Sequence, residues 1–222
     1  MNIDQAAKEV LIKGDLGIGD EYGRILTIID FGNVDYWFDE DRQDSDNNPL
    51  AEDQKLVIDL DKLKSFCSLF SDHIRFYYGH NTSKVSFISA AKYAFGKNMV
   101  FTKPIQKVRH NITLEELPSN TREILSDKEG SYILLPKCNF DVEISVDVIK
   151  LMDEYDTLAL FSSDSDFVSL NRFVRNKSNG KKVILFKAGH IIGDLRKNTD
   201  KVINAQNIKR SITIIKQQKP GV

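Results

Sequence analysis

TLALFSSDSDFVSL, residues 157–170, decides how this chain folds. Leu158, Ala159, Leu160 and Phe161 form the short apolar run that a strand buried on both faces needs, and Ser162 and Ser163 lead from it into Asp164-Ser165-Asp166. Phe167, Leu170, Phe173 and Val174 follow at helical spacing, so the carboxylates stand where a strand hands over to a helix N-terminus. In an open α/β sheet, ligands bind at that end of a strand. Either Asp alone serves as well as a helix cap. Only other carboxylates converging on the same spot favour a site.

Working outward, residues 24–30, RILTIID, repeat the pattern of a β-rich run closed by a carboxylate, and Phe31-Gly32-Asn33 makes the turn. Further strands are expected at 73–78, 99–103 and 182–187, with helices over 59–70, 85–95 and 141–155 and a short one over 191–197. Successive strand-helix steps indicate a mainly parallel sheet with right-handed crossovers. If the sheet has order 3-2-1-4-5, the strands ending at Asp30 and Asp164 are neighbours at the switch point. An edge strand is expected at 202–203.

The domain is expected over 24–205. Residues 1–23 read as an arm with a short helix at 4–13 and a flexible, glycine-containing linker. Residues 39–54 read as a solvated, partly disordered loop, and 104–136 as an insertion with helical character over 114–125 and a strand-like piece at 132–135. The tail, 206–222, is expected to pack outside the core or in a partner, and to mediate self-association or grip substrate.

The chain has 222 residues and 41% hydrophobic content, enough for one sizeable core. No apolar stretch has signal-peptide or membrane-spanning length, which makes the cytoplasm the default compartment. Cys67 and Cys138 form no CxxC pair, so neither a disulfide framework nor a zinc site is suggested. The formal net charge of −1 conceals strong segregation. Acids dominate 35–61, whereas 73–114 has none and carries Arg75, Lys84, Lys92, Lys97, Lys103, Lys107 and Arg109. A basic face beside an acidic centre suits a polyanion bound around a metal, with Lys107 and Arg109 as candidate nucleic-acid contacts.

Glu143 and Asp147 lie four residues apart on one helix face, where like charges are unfavourable, so something positive should sit opposite. Asp147 adjoins the apolar stripe and is expected to point along the sheet edge towards the first and fourth strands. Asp30, Asp147, Asp164 and Asp166 would then meet, and such a group needs raised pKa values or a divalent cation. Oxygen-only ligation favours Mg²⁺ or Mn²⁺ and disfavours zinc. A metal so placed suits in-line hydrolysis of a phosphodiester by a bound water, with Asn33 orienting the water or the phosphate, or simply forming the turn.

IDFGN at 29–33, FYYG at 76–79, FTKP at 101–104, KCNFDVEISVD at 137–147 and SSDSDF at 162–167 resemble, in order, an NYN domain of the LabA-like branch, relatives of PIN-domain nucleases. The resemblance implies a three-layer α/β/α PIN-like fold and Mg²⁺- or Mn²⁺-dependent cleavage of RNA. It implies that Asp30, Asp147, Asp164 and Asp166 form the acidic cluster with Asn33 as companion, that Asp141 is peripheral or supports the helix start, and that Lys103 and Lys137 contact substrate phosphates. Phe31-Gly32 replaces the commoner Gly-x, Ser163 stands where glycine is usual, and the loops at 39–54 and 108–136 look long.

Competing readings explain less. A nucleotide-sugar transferase accounts for Asp-x-Asp but leaves Asp30 and Asp147 without a role. A haloacid-type phosphatase needs a second Asp at Gly32, and a receiver domain needs paired acids after the first strand. A catalytically weak RNA-binding or regulatory module would rely on the basic surface and has no need of all four carboxylates.

Overall fold

A computed structural model describes residues 3–80, 85–113, 123–176 and 180–218, with side chains from Val10 onward apart from those of Pro136 and Lys137. Strands β1 (Ile25–Asp30), β3 (His73–His80), β4 (Val100–Pro104), β8 (Thr157–Phe161), β9 (Lys182–Lys187) and β10 (Lys201–Asn204) form one sheet in the order β4-β3-β1-β8-β9-β10. Every neighbouring pair is parallel. The five expected strands thus stand in the order 3-2-1-4-5, and β10 extends the sheet by one strand. Ile29 pairs with Phe161 and Asp30 with Tyr77, which sets Asp30 level with the exits of its neighbours.

Strand residues divide alternately between two cores, as the period-2 geometry requires. Ile29, Phe76, Phe161 and Phe186 face one side, packed against Leu63, Phe66 and Cys67 of α3 (Leu60–Cys67) and Ala91 and Phe95 of α4 (Val85–Phe95). Ile28, Tyr77, Leu160 and Leu185 face the other, against Ile144 and Val148 of α5 (Asp141–Lys150), Leu170 and Val174 of α6 (Val168–Asn176) and Leu195 of α7 (Gly193–Lys197). A sheet with helices on both faces is the three-layer α/β/α arrangement. Asp30 follows Leu26 and Ile28 on the α5 side.

The peripheral segments depart from expectation. Helix α1 (Ile3–Leu16) is longer than 4–13, and Leu16, Ile18 and Tyr22 are buried in the first core, so the linker reading of 14–23 is replaced by packed chain. The loop at 39–54 is pinned: Asp44 accepts hydrogen bonds from the backbone N–H groups of Asp46 and Asn48, and buried Lys209 donates to Gln43 O (2.6 Å) and pairs with Asp41 (2.8 Å). The insertion is an antiparallel sheet of β5 (Gln106–Asn111), β7 (Gly130–Lys137) and β6 (Leu125–Asp127), in that order. The expected helix at 114–125 falls mainly outside the described residues.

The tail does not pack away from the body. Ile208 and Ile212 enter the first core, with Ile212 closing α8 (Lys209–Ile212), and β11 (Thr213–Gln217) pairs antiparallel with β2 (Gln54–Ile58) of the same chain. Neither burial nor pairing was visible locally, because both depend on segments about 160 residues apart. Ile212→Ala is expected to lower the unfolding free energy by about 2–5 kcal/mol, and Ile215→Ala, half exposed, by less than about 1 kcal/mol. Urea denaturation checks this, and equal small effects would contradict the tail's place in the core.

Candidate metal centre

At the exits of β1 and β8 the backbone delivers carboxylates and also the groups that hold them. Ser162, fully buried, donates from Oγ to Asp30 Oδ2 (3.0 Å) and accepts at the same Oγ from the backbone N–H of Asp164 (3.2 Å). Asp164 caps the single 3₁₀ turn at Ser165–Phe167 by accepting from the Asp166 N–H (3.0 Å). The capping reading is therefore realised for Asp164. Asn33 accepts through Oδ1 from the Ser163 N–H (3.0 Å) and from Trp37 Nε1 (3.1 Å), tying the turn after β1 to the exit of β8.

The third element to arrive is α5, through its N-terminus. Asp141, whose N–H donates to Asn139 Oδ1 (2.8 Å), places its carboxylate with those of Asp164 and Asp166, and one oxygen from each lies within 4.8 Å of the others. Burial, followed by the charges of Asp164 and Asp166, raises the Asp141 pKa. Asp30 lies beside this trio. Its own burial, with smaller contributions from Asp141 and Asp164, pushes its pKa up to about 6 despite the hydrogen bond from Ser162. An all-oxygen donor set this crowded fits a divalent cation.

Asp147 is not brought into this group. Its Oδ2 accepts from Arg75 Nη1 (2.6 Å) and from the Tyr77 hydroxyl (2.6 Å), and burial and Asp147 together raise the Tyr77 pKa. The helix accounts for the difference. Six residues at ~1.5 Å rise carry Asp147 about 9 Å from the helix N-terminus, alongside the sheet interior and away from the strand exits. Asp141 takes the place expected for Asp147. The crossing direction was the available signal: a helix running antiparallel to the strands presents its first turn, not its second, at their C-terminal ends.

The positive groups expected opposite Glu143 and Asp147 are present, and they are protein cations. Lys103 Nζ pairs with Glu143 (2.6 Å) and lies 4.5 Å over the Phe140 ring, while Arg75 takes Asp147. Arg109 is bound to Asp127 and lies 4.0 Å over Tyr132, inside the inserted sheet. Lys107 is exposed on β5, and the Lys137 side chain lies outside the described residues.

A helix-flanked parallel sheet with carboxylates gathered at its central switch point is consistent with a PIN-like three-layer fold. The NYN domain profile matches residues 29–208, and the chain belongs to the NYN domain family. It is 31% identical over 96 residues to the low amplitude and bright protein LabA of Synechococcus elongatus, which places it in the LabA-like branch. That match takes in 43% of this chain and 51% of LabA, so the chain spans about half the length of this relative. The crystal structure of VPA0982, a protein of unknown function from Vibrio parahaemolyticus, shares the fold with a TM-score of 0.57 at 17% identity, covering 88% of this chain and 99% of that one. Among the described residues no helix is long and apolar enough to cross a membrane.

Two measurements probe the centre. The raised pKa of Asp30 means that between about pH 4 and 6 the folded chain holds a proton that the unfolded chain releases, so stability falls as pH rises through that window. In EDTA above pH 7, Asp30→Asn is expected to raise the unfolding free energy by about 1–3 kcal/mol, with the gain vanishing towards pH 4. A pH-independent difference in urea midpoints would contradict this. Asp147→Asn should instead destabilise by about 1–3 kcal/mol at neutral pH, because it weakens the pair with a largely buried Arg75.

Proposed function

We propose that the chain is a metal-dependent ribonuclease that hydrolyses RNA phosphodiester bonds at the carboxylate group. The observation that carries this reading is the convergence of Asp141, Asp164 and Asp166 at the strand exits of a chain belonging to the NYN family. In this reading Asp141, Asp164 and Asp166 hold Mg²⁺ or Mn²⁺, and Asp30 completes the carboxylate wall. A bound divalent ion supplies an activated water and charge neutralisation at the scissile phosphate. Ser162 orients Asp30, and its N–H contact from Asp164 keeps the two carboxylates in fixed register. Asn33 positions the β8 exit through Ser163. Lys103 is held by Glu143 and would have to leave that pair to reach a substrate phosphate.

A binding-only module finds less support, because two of the cations it would rely on, Lys103 and Arg109, are already paired with acids. Asp164→Asn and Asp141→Asn are each expected to reduce Mn²⁺-dependent cleavage of RNA by more than about a hundredfold, close to 3 kcal/mol of barrier, with RNA binding largely retained. Asp147→Asn should keep the metal dependence. Gel assays with calorimetric Mn²⁺ titration check this. No turnover by the unaltered chain across an RNA panel with Mg²⁺ or Mn²⁺ would sink the nuclease reading.

A further inference from the structure

Across the strand exits from the carboxylate group lies a cavity of about 620 Å³, lined among others by Asn33, Tyr36, Trp37, Asp39, Glu40 and Asn204. It shares a wall with the metal centre. Asn33 accepts from the Ser163 N–H, and the next residue, Asp164, belongs to the carboxylate group. Trp37 forms a rigid floor, 8% exposed and stacked on Phe161 with centroids 6.0 Å apart. Tyr36 stands at the mouth with 68% of its surface free.

The lining chemistry selects against a phosphate. Among the described residues neither Lys nor Arg lines the cavity, and three acids do. Asp41 is neutralised by Lys209 (2.8 Å), whereas Asp39 and Glu40 are exposed and carry no ion pair among the described residues. These acids do not converge as a metal group among the described residues either. The lining fits a flat ligand that stacks on Tyr36 and presents hydrogen-bond donors to a carboxylate. Asn204 spends its side-chain oxygen on the Gln206 N–H, so its amide N–H₂ is the group it offers to a ligand acceptor.

We propose that this cavity is a nucleobase subsite that takes an unpaired guanine of the RNA strand, next to the phosphate held at the metal centre. Guanine carries two adjacent donors, N1–H and the N2 amino group, that match one carboxylate bidentately, and its O6 accepts from an amide. Uracil opposes a carboxylate with two carbonyl oxygens flanking a single N–H. Unpaired bases are the usual target of sequence-specific RNA recognition, stacked on aromatic side chains and read on this edge. The assignment of the ligand rests on the ribonuclease reading.

The test uses the full chain and two fluorescein-labelled oligoribonucleotides, a dodecamer of uridine and the same dodecamer with one central guanosine. With Mn²⁺, cuts are expected to cluster beside the guanosine. Glu40→Gln, in an exposed side chain, should erase that preference while leaving cleavage of the all-uridine strand unchanged. Tyr36→Ala should weaken anisotropy-measured binding of the guanosine-containing strand by about tenfold. Equal cutting of both strands, with neither variant altering the pattern, would overturn the subsite. If no cleavage occurs but Tyr36→Ala and Glu40→Gln still lower guanosine-dependent binding in EDTA, the subsite stands and the nuclease reading falls.

Discussion

Carboxylates packed at the end of a sheet repel one another, and most of this architecture serves to hold them there. The buried hydroxyl of Ser162 sits between Asp30 and the Asp164 backbone, donating to one and accepting from the other. A serine is the smallest side chain able to do both in the space between two parallel strands. Burial pushes Asp30 up towards neutral pH, and its neighbours add to the rise. Folding therefore concentrates negative charge at a point where the chain has spent its nearby cations elsewhere.

Helix α5 shows how that segregation is achieved. Its first turn delivers Asp141 into the cluster, while its later acids are each given a private cation: Lys103 for Glu143 and Arg75, with the Tyr77 hydroxyl, for Asp147. These contacts fix the helix against β3 and β4 in rotation and depth. A small rotation would have to break a short, partly buried ion pair, which is costlier than breaking an exposed one. The pairs on the helix flank thus position the acid at its tip.

On the other side of the strand exits, the same economy holds the acidic loop. Lys209, nearly buried, reaches Asp41 and Gln43, so the segment after β10 clamps the segment after β1. The pairing of β11 with β2 closes the clamp. Asn33 links this region to the carboxylate group through Ser163. Residues far apart in the chain thereby share a mechanical connection at the switch point.

What the amino-acid sequence settled by itself was whatever short-range pattern encodes. The continuous apolar runs at 25–29 and 158–161 announce strands covered on both faces, their closing acids mark the exits, and the strand-helix rhythm prescribes a parallel sheet with a switch point between them. Asp30, Asp164 and Asp166 were legible because each lies within a few residues of a strand end. The choice between Asp141 and Asp147 was not, since both stand on one helix and only its direction and depth across the sheet decide which reaches the exits. Nor were the burial of Leu16 and Ile212 or the partners of Glu143 and Arg109 legible, because those contacts join residues that local periodicity cannot relate. They are decided by the packing of whole layers, which only the tertiary structure sets.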